Sequence, residues 1–404
     1  MAFLLAVLVP SFLLSLPAAA SPVAVENSFI SLPISRQFNL TGSVNIVKSD
    51  LARVAHFKAR TSKGKRAVIS EPVSNQVVSY IASVGVGSPA TTYSLIVDTG
   101  SSNTWVGATK SYVRTSTSVS TGARVSVTYG SGSFSGTEFT DQVTLAPGLV
   151  IAKQSIGVAS TSTGFSGVDG ILGIGPLDLT SGTLSTGGTI PTVTGNLFSA
   201  GTITGDLIGV SFEPTTAQVV NNGAISFGGT DSTKFTGTIS FAPITRTSPA
   251  SEFWGINQSI QYGTTTILAS TAGIVDTGTT LILIATNAFT QYRSRTGGVL
   301  DNNTGLLRIT AAQFAALQNL NFVINGVTRT LTPNAQIWPR SLNTAIGGTA
   351  GSIYLVVADL GTPSGQGLDF INGYTFLERF YSVFDTAGAR VGFATTAFTT
   401  ATSN

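Results

Sequence analysis

Two copies of a short acidic motif constrain the fold of this chain more than any other feature. "YSLIVDTGSSNTWVG" contains Asp98 and "TAGIVDTGTTLILIA" contains Asp276, each directly after an apolar run and two residues before a glycine. Burying an unpaired carboxylate costs on the order of several kcal/mol, so such a group either has a partner or stays neutral. The repetition predicts two related lobes, each of which contributes one Asp-Thr-Gly turn.

The composition favours a mainly β protein. Only 10% of the residues are charged and 45 are glycine, which suits many strands joined by turns. "NQVVSYIASVGVG" and "ARVSVTYGSGSFSGTEFTDQVTLA" predict strands. Helical signals are few: "TAAQFAALQNL" has Thr310 and Gln313 at capping-box spacing, and "TNAFTQYRSRTGG" predicts a helix with Thr286 as N-cap and a stop near Gly297.

The first 20 residues predict a secretory signal peptide and therefore a secreted, extracellular protein. Ala18 and Ala20 frame a small-residue cleavage site. A membrane anchor is the alternative, but Pro10 and Pro17 interrupt an apolar run of marginal length for a span, so we expect none. The chain contains no cysteine, which excludes disulfides and thiol chemistry.

The charge is divided unevenly along the chain. Segment 21–66 contains eight Lys/Arg, whereas 13 of the 21 Lys/Arg and 16 of the 18 Asp/Glu lie beyond Arg66. The basic segment, which alone would suggest nucleic-acid binding, is interpreted as a detachable partner of an acidic body. It ends at the dibasic pair Lys65-Arg66, a processing site unless the segment is an ordinary solvated linker. The only histidine, His56, lies in this segment.

These observations predict four parts of the chain. Residues 1–20 are the signal peptide and 21–66 the propeptide. Residues 67–245 form an N-terminal lobe with Asp98 and a flap, and residues 246–404 form a C-terminal lobe with Asp276.

Packing of the two lobes about a pseudo-twofold axis would bring Asp98 and Asp276 together. Two adjacent carboxylates share one proton and titrate as a coupled pair, which provides an acid and a base beside one water. The neighbouring residues support this arrangement. Gly100 and Gly278 permit the tight backbone approach that such turns need. Thr99 and Thr277 can hydrogen-bond across the interface. Ser101 and Thr279 each place a hydroxyl where it can bond a carboxylate. One Asp-Thr-Gly could mark an ordinary turn, but two such copies argue against that alternative.

"VSVTYGSGSFSGTEF" predicts a mobile hairpin that could cover a cleft and exclude water. A phosphate-binding glycine loop is excluded because no Gly-Lys-Ser/Thr follows. "GVGSPA" at 85–90 formally fits a dinucleotide fingerprint, but Pro89 and the lack of a following amphipathic helix argue against it.

From about residue 74 to about 396 the chain resembles the pepsin family of aspartic endopeptidases, and within it the cysteine-free polyporopepsin-like enzymes that fungi secrete. The motifs that carry the resemblance are "VDTGSSNTWV", "YGSGS", "DGILGIG", "VDTGTTLI" and "FINGYTFLERFYSVFDTAGARVGFA". The resemblance implies a mainly β, bilobal acid-protease fold with the cleft between two barrel-like lobes. It also implies that Asp98 and Asp276 are catalytic, that Tyr129 is the flap tyrosine, and that Trp105 is the tryptophan bonded to it. Asn372 and Tyr374 depart slightly from the family pattern.

We therefore expect an acid-acting endopeptidase made as a zymogen, with protein or peptide substrates. Its own propeptide and pepstatin-type compounds should inhibit it. We expect a monomer without cofactor, metal or nucleic-acid partner. The alternatives are a non-catalytic pepsin-fold binding protein, and a glycosidase, whose carboxylates would be farther apart. Serine and cysteine peptidases fail because the mature body has no histidine or cysteine.

Finer features are also predicted. Tyr129, Gly130 and neutral Ser131 at the flap, with Ile96, Phe165 and Ile171 as pocket walls, favour Leu, Phe or Met before the scissile bond. In related fungal enzymes that accept lysine there, an Asp matches Ser131. The basic segment 48–66 should lie across the cleft with Lys58 close to the carboxylate pair. Sequons at Asn39, Asn257 and Asn302 are glycosylation candidates, with unmodified asparagine as the alternative.

Overall fold

The computed structural model describes residues 29–38, 45–59, 78–130 and 132–403. The expected signal peptide, the Lys65-Arg66 pair, the sequon at Asn39 and the flap residue Ser131 lie outside the described residues.

Apolar residues that alternate with Ser, Thr and Gly produce strands through most of the chain. The first eleven are β1 (Ile30–Phe38), β2 (Val78–Val86), β3 (Thr91–Asp98), β4 (Trp105–Val106), β5 (Val119–Thr128), β6 (Ser133–Ala146), β7 (Leu149–Thr163), β8 (Gly170–Gly173), β9 (Leu207–Phe212), β10 (Val220–Phe227) and β11 (Thr236–Pro243).

The second half repeats this character with shorter strands. These are β12 (Gly255–Tyr262), β13 (Thr265–Val275), β14 (Ile282–Ile284), β15 (Val299–Leu300), β16 (Leu307–Ile309), β17 (Leu320–Ile324), β18 (Val327–Leu331), β19 (Ile353–Tyr354), β20 (Val357–Asp359), β21 (Phe370–Asn372), β22 (Phe380–Asp385) and β23 (Arg390–Thr395).

In the described residues, five α-helices accompany the strands: α1 (Ile46–Ala59), α2 (Val193–Ser199), α3 (Thr286–Thr296), α4 (Ala311–Ala315) and α5 (Tyr374–Leu377). The capping box of Thr310 and Gln313 is confirmed at α4. Helix α3 ends at Gly297, which has the left-handed φ of 68° that favours glycine. The N-cap prediction for α3 was wrong by one residue, because Ala285 is the N-cap. The Thr286 hydroxyl instead donates to Asp359 Oδ1 at 2.7 Å, which fixes that side chain outside the capping position.

Within the part of the chain that the structure describes, the strands form two large sheets and a small one. The first has the order β11-β23-β22-β9-β10-β1-β2-β3-β8-β4-β7-β6-β5, the second β18-β17-β12-β13-β21-β14-β20, and the third β15-β16-β19. β22 and β23, near the end of the chain, pair with β9 and β11 from its first two thirds. The first sheet therefore links the two parts of a bilobal, barrel-like molecule. "GVGSPA" covers the end of β2 and the turn that leads directly into the antiparallel strand β3, so no helix follows it, which excludes a dinucleotide site there.

Strand β1 is an integral part of the first sheet. It pairs antiparallel with β10 on one side and with β2 on the other. Leu32 and Ile34 are buried in the main core, and so is Arg36, at an alternate position of the same strand. The segment expected to be detachable thus supplies a central strand.

Candidate active site

The two Asp-Thr-Gly turns follow equivalent strands. Asp98 ends β3, which pairs in parallel with β8, and Asp276 directly follows β13, which pairs in parallel with β21. Both carboxylates are fully buried. The apolar run before each aspartate is therefore a buried strand that carries its carboxylate into the interior.

The two turns satisfy their carboxylates in the same way. The Gly100 amide donates to Asp98 Oδ1 at 2.9 Å, and the Gly278 amide donates to Asp276 Oδ1 at 3.1 Å. The Ser101 hydroxyl donates to the other oxygen of Asp98. Thr279 does the same for Asp276, at 2.6 Å. Equivalent sequence thus produces equivalent local structure.

Two threonines join the turns. The Thr99 amide donates to Thr277 Oγ1 at 3.0 Å, and the Thr277 amide donates to Thr99 Oγ1 at 2.9 Å. The Thr277 hydroxyl donates in turn to the Val97 carbonyl at 3.2 Å. This reciprocal network holds the two turns in one arrangement.

The glycines of the motif face the opposite carboxylate. A Cβ atom at Gly100 would lie 2.7 Å from Asp276 Oδ1, and one at Gly278 would lie 2.6 Å from Asp98 Oδ1. Contacts under 3 Å are too close for a carbon atom, so only glycine permits this approach. The same distances place the two carboxylates across one small space.

Arg53 of helix α1 occupies that space. Its Nε donates to Asp276 Oδ2 at 2.6 Å and its Nη2 donates to Asp276 Oδ1 at 3.0 Å. Nη2 also donates to Asp98 Oδ1. One guanidinium therefore binds both carboxylates in the fork geometry that favours arginine over lysine.

The prediction that Lys58 lies at the carboxylate pair was wrong. Lys58 Nζ donates to Thr362 Oγ1 at 2.6 Å, and the carboxylates whose charges raise its pKa are Asp369 and Asp359, against the lowering effect of burial. Five residues along a helix turn a side chain about 140° past its starting direction. Arg53 and Lys58 therefore face different surfaces of the body.

The ionisation of the pair is asymmetric. Burial raises the pKa of Asp98 above its ordinary value, and the charge of Asp276 raises it further, against the opposing effect of Arg53. Burial also acts to raise the pKa of Asp276, but the charge and hydrogen bonds of Arg53 hold it below its ordinary value. In this state Asp276 is the more firmly ionised member.

Helix α1 fills the cleft between the carboxylates and the flap. A Cβ atom at Gly130 would overlap the backbone of Ala52 and Arg53. The His56 ring lies 6.4 Å from the ring of Tyr129. The helix therefore occupies the space that an extended substrate would need.

A second residue of α1, Asp50, binds the backbone beyond the second turn. The amides of Leu281 and Thr280 donate to its carboxylate at 2.8 Å and 3.2 Å. Burial raises the pKa of Asp50 to about 7, although these hydrogen bonds and the charge of Arg53 oppose the shift. Sequence reasoning missed both Asp50 and Arg53.

Strands β5 and β6 form a hairpin, which is consistent with the predicted flap. Near its tip Thr128 pairs with Ser133, and the Tyr129 amide donates to the Gly132 carbonyl at 2.7 Å. Tyr129 packs 6.5 Å from Trp105, with the rings 22° apart. Neither the Trp105 indole N–H nor the Tyr129 hydroxyl makes a hydrogen bond of ordinary geometry, although the indole N–H is close enough to act to lower the pKa of Tyr129. Burial and the Asp98 charge raise the pKa of Tyr129 well above its ordinary value, so it remains a neutral phenol.

The expected pocket walls belong to one apolar cluster beneath the flap. Ile96 and Phe165 line a cavity. Ile171 does not line it, but it belongs to the same cluster and pairs with Ile96 across β3 and β8. The cavity also touches Gln37 and Phe38 at the end of β1. Part of its wall is thus formed by the segment expected to be removed.

A buried amide pair lies behind the second turn. Asn372 Nδ2 donates to Gln258 Oε1 at 2.9 Å, and Gln258 Nε2 donates to Asn372 Oδ1 at 3.1 Å. The Asn372 carbonyl accepts from the Asp276 amide at 3.1 Å. Asn372 pairs with Val275, as Leu172 pairs with Val97 in the first half. The departure of Asn372 from the family pattern is visible in the sequence, but its partner Gln258 is not.

Other predicted sites remain predictions. Asn257 and Asn302 are exposed, as glycosylation requires, although Asn257 Oδ1 accepts from Thr245 at 2.9 Å. The described ranges contain no cluster of three or more His, Cys, Asp or Glu residues suited to a metal ion. Within the same ranges, no helix has the length and apolar character needed to cross a bilayer.

Comparison with known proteins agrees with this geometry. Residues 79–396 match the family model described as eukaryotic aspartyl protease. The chain is 69% identical to polyporopepsin from Irpex lacteus over 338 residues, which cover 83% of this chain and 99% of the relative. It is 31% identical to gastricsin from Cavia porcellus, over 84% of this chain and 86% of the relative.

A solved structure gives the same result. The crystal structure of the aspartic proteinase from Irpex lacteus is 61% identical and superposes with a TM-score of 0.81, covering 93% of this chain and 100% of that chain. The fold is therefore the bilobal pepsin-like fold. Membership of one family accounts for the paired Asp-Thr-Gly turns, the cysteine-free body and the flap hairpin. The chain belongs to the pepsin family and is an aspartic endopeptidase.

Proposed function

We propose that the protein is a secreted zymogen whose mature form hydrolyses peptide bonds at acidic pH, with water activated between Asp98 and Asp276. In this proposal residues 1–20 are the signal peptide and 21–66 the propeptide. Residues 67–245 and 246–404 are the two lobes. The observation that carries the proposal is the pair of buried carboxylates on reciprocal turns, both bound by Arg53 of α1.

The mechanism begins when α1 leaves. Without Arg53, the two carboxylates have no counter-cation and hold one proton between them. The ionised member accepts a proton from a bound water, which attacks the scissile carbonyl carbon. The protonated member donates its proton to the carbonyl oxygen. When the C–N bond breaks, the member that took the proton from water gives it to the leaving nitrogen, and the other member recovers a proton from a hydroxyl of the tetrahedral intermediate. No covalent enzyme intermediate forms.

The contact of Arg53 also supports a pH-dependent release. Arg53 holds the pKa of Asp276 below its ordinary value, so Asp276 binds a proton more tightly after the helix has left. The free state then takes up a proton, and acid favours it. The stabilisation of the helix by this group is complete above the pKa of free Asp276 and is lost as pH falls through the lowered value.

Asp50 acts in the opposite sense. Its pKa of about 7 in the docked helix exceeds the ordinary value of 3.8 that we expect once the helix is exposed to solvent. The docked state therefore holds its proton more tightly, and protonation between pH 7 and 4 favours docking. Release consequently requires pH values at which Asp276 itself is protonated.

The specificity proposal rests on apolar surroundings. Ile96 and Phe165 line the cavity below the flap, and Ser131 would add no charge there. We expect cleavage after Leu, Phe or Met. Cleavage mapped in a mixed peptide library tests this, and a dominant preference for Lys would contradict it.

The main experiment is proteolysis of a denatured protein at acid pH by the processed chain, with and without pepstatin. We expect complete inhibition by pepstatin and no effect of chelators or of serine- and cysteine-directed reagents. Activity that survives pepstatin would refute the carboxylate mechanism.

A second experiment tests activation. The wild-type precursor is acidified alone, and the Asp98→Asn/Asp276→Asn precursor is acidified alone and then mixed with active enzyme. Self-processing predicts that the wild type cleaves itself and that the double variant is cleaved only after mixing. A wild-type precursor that stays intact at acid pH, and is trimmed only by a dibasic-specific protease, would refute it.

A further inference from the structure

A second arginine of the same segment is buried in a site of its own. Arg36 lies in β1, and only 1% of its surface is exposed. Its Nη1 donates to the Thr215 carbonyl at 3.0 Å, and its Nη2 donates to the Tyr374 hydroxyl at 3.2 Å. Nη1 also lies 3.8 Å from Glu378 Oε1. An arginine at a core position of a strand requires polar partners, and here both Nη atoms have them, whereas the buried Nε makes no hydrogen bond.

The walls of this pocket are built for a flat cation. The guanidinium carbon lies 5.4 Å from the ring centroid of Tyr374 and 5.9 Å from that of Trp338, within the range of cation–π contacts. Phe38 of the same strand adds a third ring at 5.0 Å. Aromatic faces with a carboxylate at one edge select a guanidinium group over a neutral one.

Glu378 is the carboxylate whose charge raises the pKa of Arg36. The Tyr80 hydroxyl donates to its Oε1 at 3.2 Å. The charged and titratable groups that face Glu378 are Arg36 on β1, Tyr80 on β2, and Tyr374 and Arg379 on its own segment. Burial raises the pKa of Glu378 above its ordinary value, although Arg36 and Arg379 oppose this. Arg36 is therefore its main charge partner from outside its own segment.

We propose that the pocket formed by Glu378, Tyr374, Trp338 and the Thr215 carbonyl is a guanidinium receptor, which fastens β1 through Arg36 and accepts a free guanidinium group when that side chain is absent. It is separate from the carboxylate pair, whose arginine is Arg53. On the proposed zymogen function, processing vacates the receptor. Residues 67–77, "AVISEPVSNQV", contain no Lys, Arg or His side chain that could refill it. The ligand class of the vacated site is an arginine on an extended strand, such as the released strand itself.

Chemical rescue in the full-length precursor at neutral pH tests the receptor. Arg36→Ala should raise the hydrogen-exchange rate of the β1 amides by about a hundredfold, the scale on which removing one partner of a buried ion pair acts. Millimolar methylguanidinium should restore protection in a saturable manner. Urea, a neutral group of similar shape, should not. Methylguanidinium should also fail in Arg36→Ala/Glu378→Gln but succeed in Arg36→Ala/Glu213→Gln, because Glu213 pairs with Lys234 outside the pocket.

The outcomes are decisive in either direction. Rescue that depends on the cation and on Glu378 supports the receptor. Equal rescue by urea, rescue that persists without Glu378, or an Arg36→Ala precursor as protected as wild type would overturn it. If Arg36→Ala does not fold, Arg36→Lys replaces it. A receptor specific for guanidinium predicts that the β1 amides of this variant, which has a lysine ammonium in the pocket, are less protected from hydrogen exchange than those of the wild type. No step measures peptide cleavage, so a failure of the proposed proteolytic function would be seen separately.

Discussion

The two Asp-Thr-Gly turns have the same internal hydrogen bonds but different surroundings. Each carboxylate accepts from the glycine amide of its own turn and from a hydroxyl three residues after the aspartate. Yet the pKa of Asp98 is raised and that of Asp276 is lowered. The difference arises from Arg53, which makes two hydrogen bonds with Asp276 and one with Asp98. Local sequence therefore determines each turn, and Arg53, more than forty positions away, determines which carboxylate is ionised in this structure.

A second difference lies one layer deeper. Val97 pairs with apolar Leu172, whereas Val275 pairs with Asn372, whose amide is bound by Gln258. The Asp98 side is also flanked by the aromatic cluster of Trp105, Tyr129 and Phe165. The two halves thus hold equivalent carboxylates with different neighbouring residues. The substitutions below test which of these differences affect activity, helix docking or stability.

The largest effect is expected from the carboxylates themselves. Asp98→Asn and Asp276→Asn should each lower kcat of the processed enzyme by more than about a hundredfold, since either change removes the acid–base pair. The measurement is acid proteolysis of a peptide with both variants processed by added wild-type enzyme. Because the asymmetry depends on Arg53, which has then left, we expect similar losses. A residual activity above about one hundredth in either variant would count against the shared-proton mechanism.

The next largest effect concerns the cation that creates the asymmetry. Arg53→Leu leaves two buried carboxylates without a counter-cation, which should weaken docking of α1 by about 3–5 kcal/mol. A pepstatin-type inhibitor should consequently bind the intact precursor far more tightly at neutral pH. Lys58→Gln is the matched control, because this half-buried lysine contacts Thr362 rather than the carboxylate pair. If Lys58→Gln increased inhibitor binding more than Arg53→Leu, the prediction that Lys58 is the residue at the carboxylate pair would be correct after all.

The error over Lys58 illustrates the limits of the sequence. The Asp-Thr-Gly turns, their threonines and the flap hairpin could be predicted because each depends on a few adjacent residues. The residue that contacts both turns could not be chosen from charge alone, since the phase of α1 decides it. The spacing of the buried residues Ile46, Asp50, Arg53, Val54 and Phe57 contains that signal. It was obscured by two charged residues on the buried face.

The same reason explains why β1 was missed. Ile30, Leu32, Ile34, Arg36 and Phe38 alternate as a strand should, but Arg36 breaks the apolar pattern. Its partners Glu378 and Tyr374 are more than three hundred residues away along the chain. Long-range electrostatic pairs of this kind leave no local trace.

Asp50→Asn tests whether Asp50, which binds the backbone after the Asp276 turn, takes up a proton when α1 docks. The substitution removes the titrating carboxylate, and it also replaces one of the two oxygens that accept from Thr280 and Leu281 with an NH2 group, a loss that does not depend on pH. Docking of wild-type α1 should therefore weaken from pH 4 to pH 7 by on the order of a hundredfold more than docking of the variant. Competition between the helix and a pepstatin-type inhibitor, measured across this range, would report it. A variant whose docking weakens as steeply as that of the wild type would mean that Asp50 does not titrate on docking.

The threonine pair should respond symmetrically. Thr99→Val leaves the Thr277 amide without its acceptor, and Thr277→Val does the same to the Thr99 amide. Each should lower the free energy of unfolding by about 1–3 kcal/mol. Denaturant unfolding of the two precursors side by side measures the difference. Unequal losses would show that the two turns are supported differently even at their shared contact.

The smallest effect is expected from replacing both members of the buried amide pair Asn372 and Gln258, which has no counterpart beside Leu172 in the first half. Asn372→Leu alone leaves the Gln258 amide without a partner, and Gln258→Met alone does the same to the Asn372 amide, so each single change should destabilise the protein by about 1–3 kcal/mol. The double variant replaces both amides with apolar groups of similar shape and imitates Leu172 of the other half. It should therefore recover most of the loss, because no buried polar group is left unpaired. The carbonyl that accepts from the Asp276 amide belongs to the backbone and is retained, so kcat should remain near that of wild type. A double-mutant cycle in unfolding free energy, with kcat measured in parallel, decides the point. A stable double variant with a strongly reduced kcat would instead assign the amide pair a role in positioning Asp276.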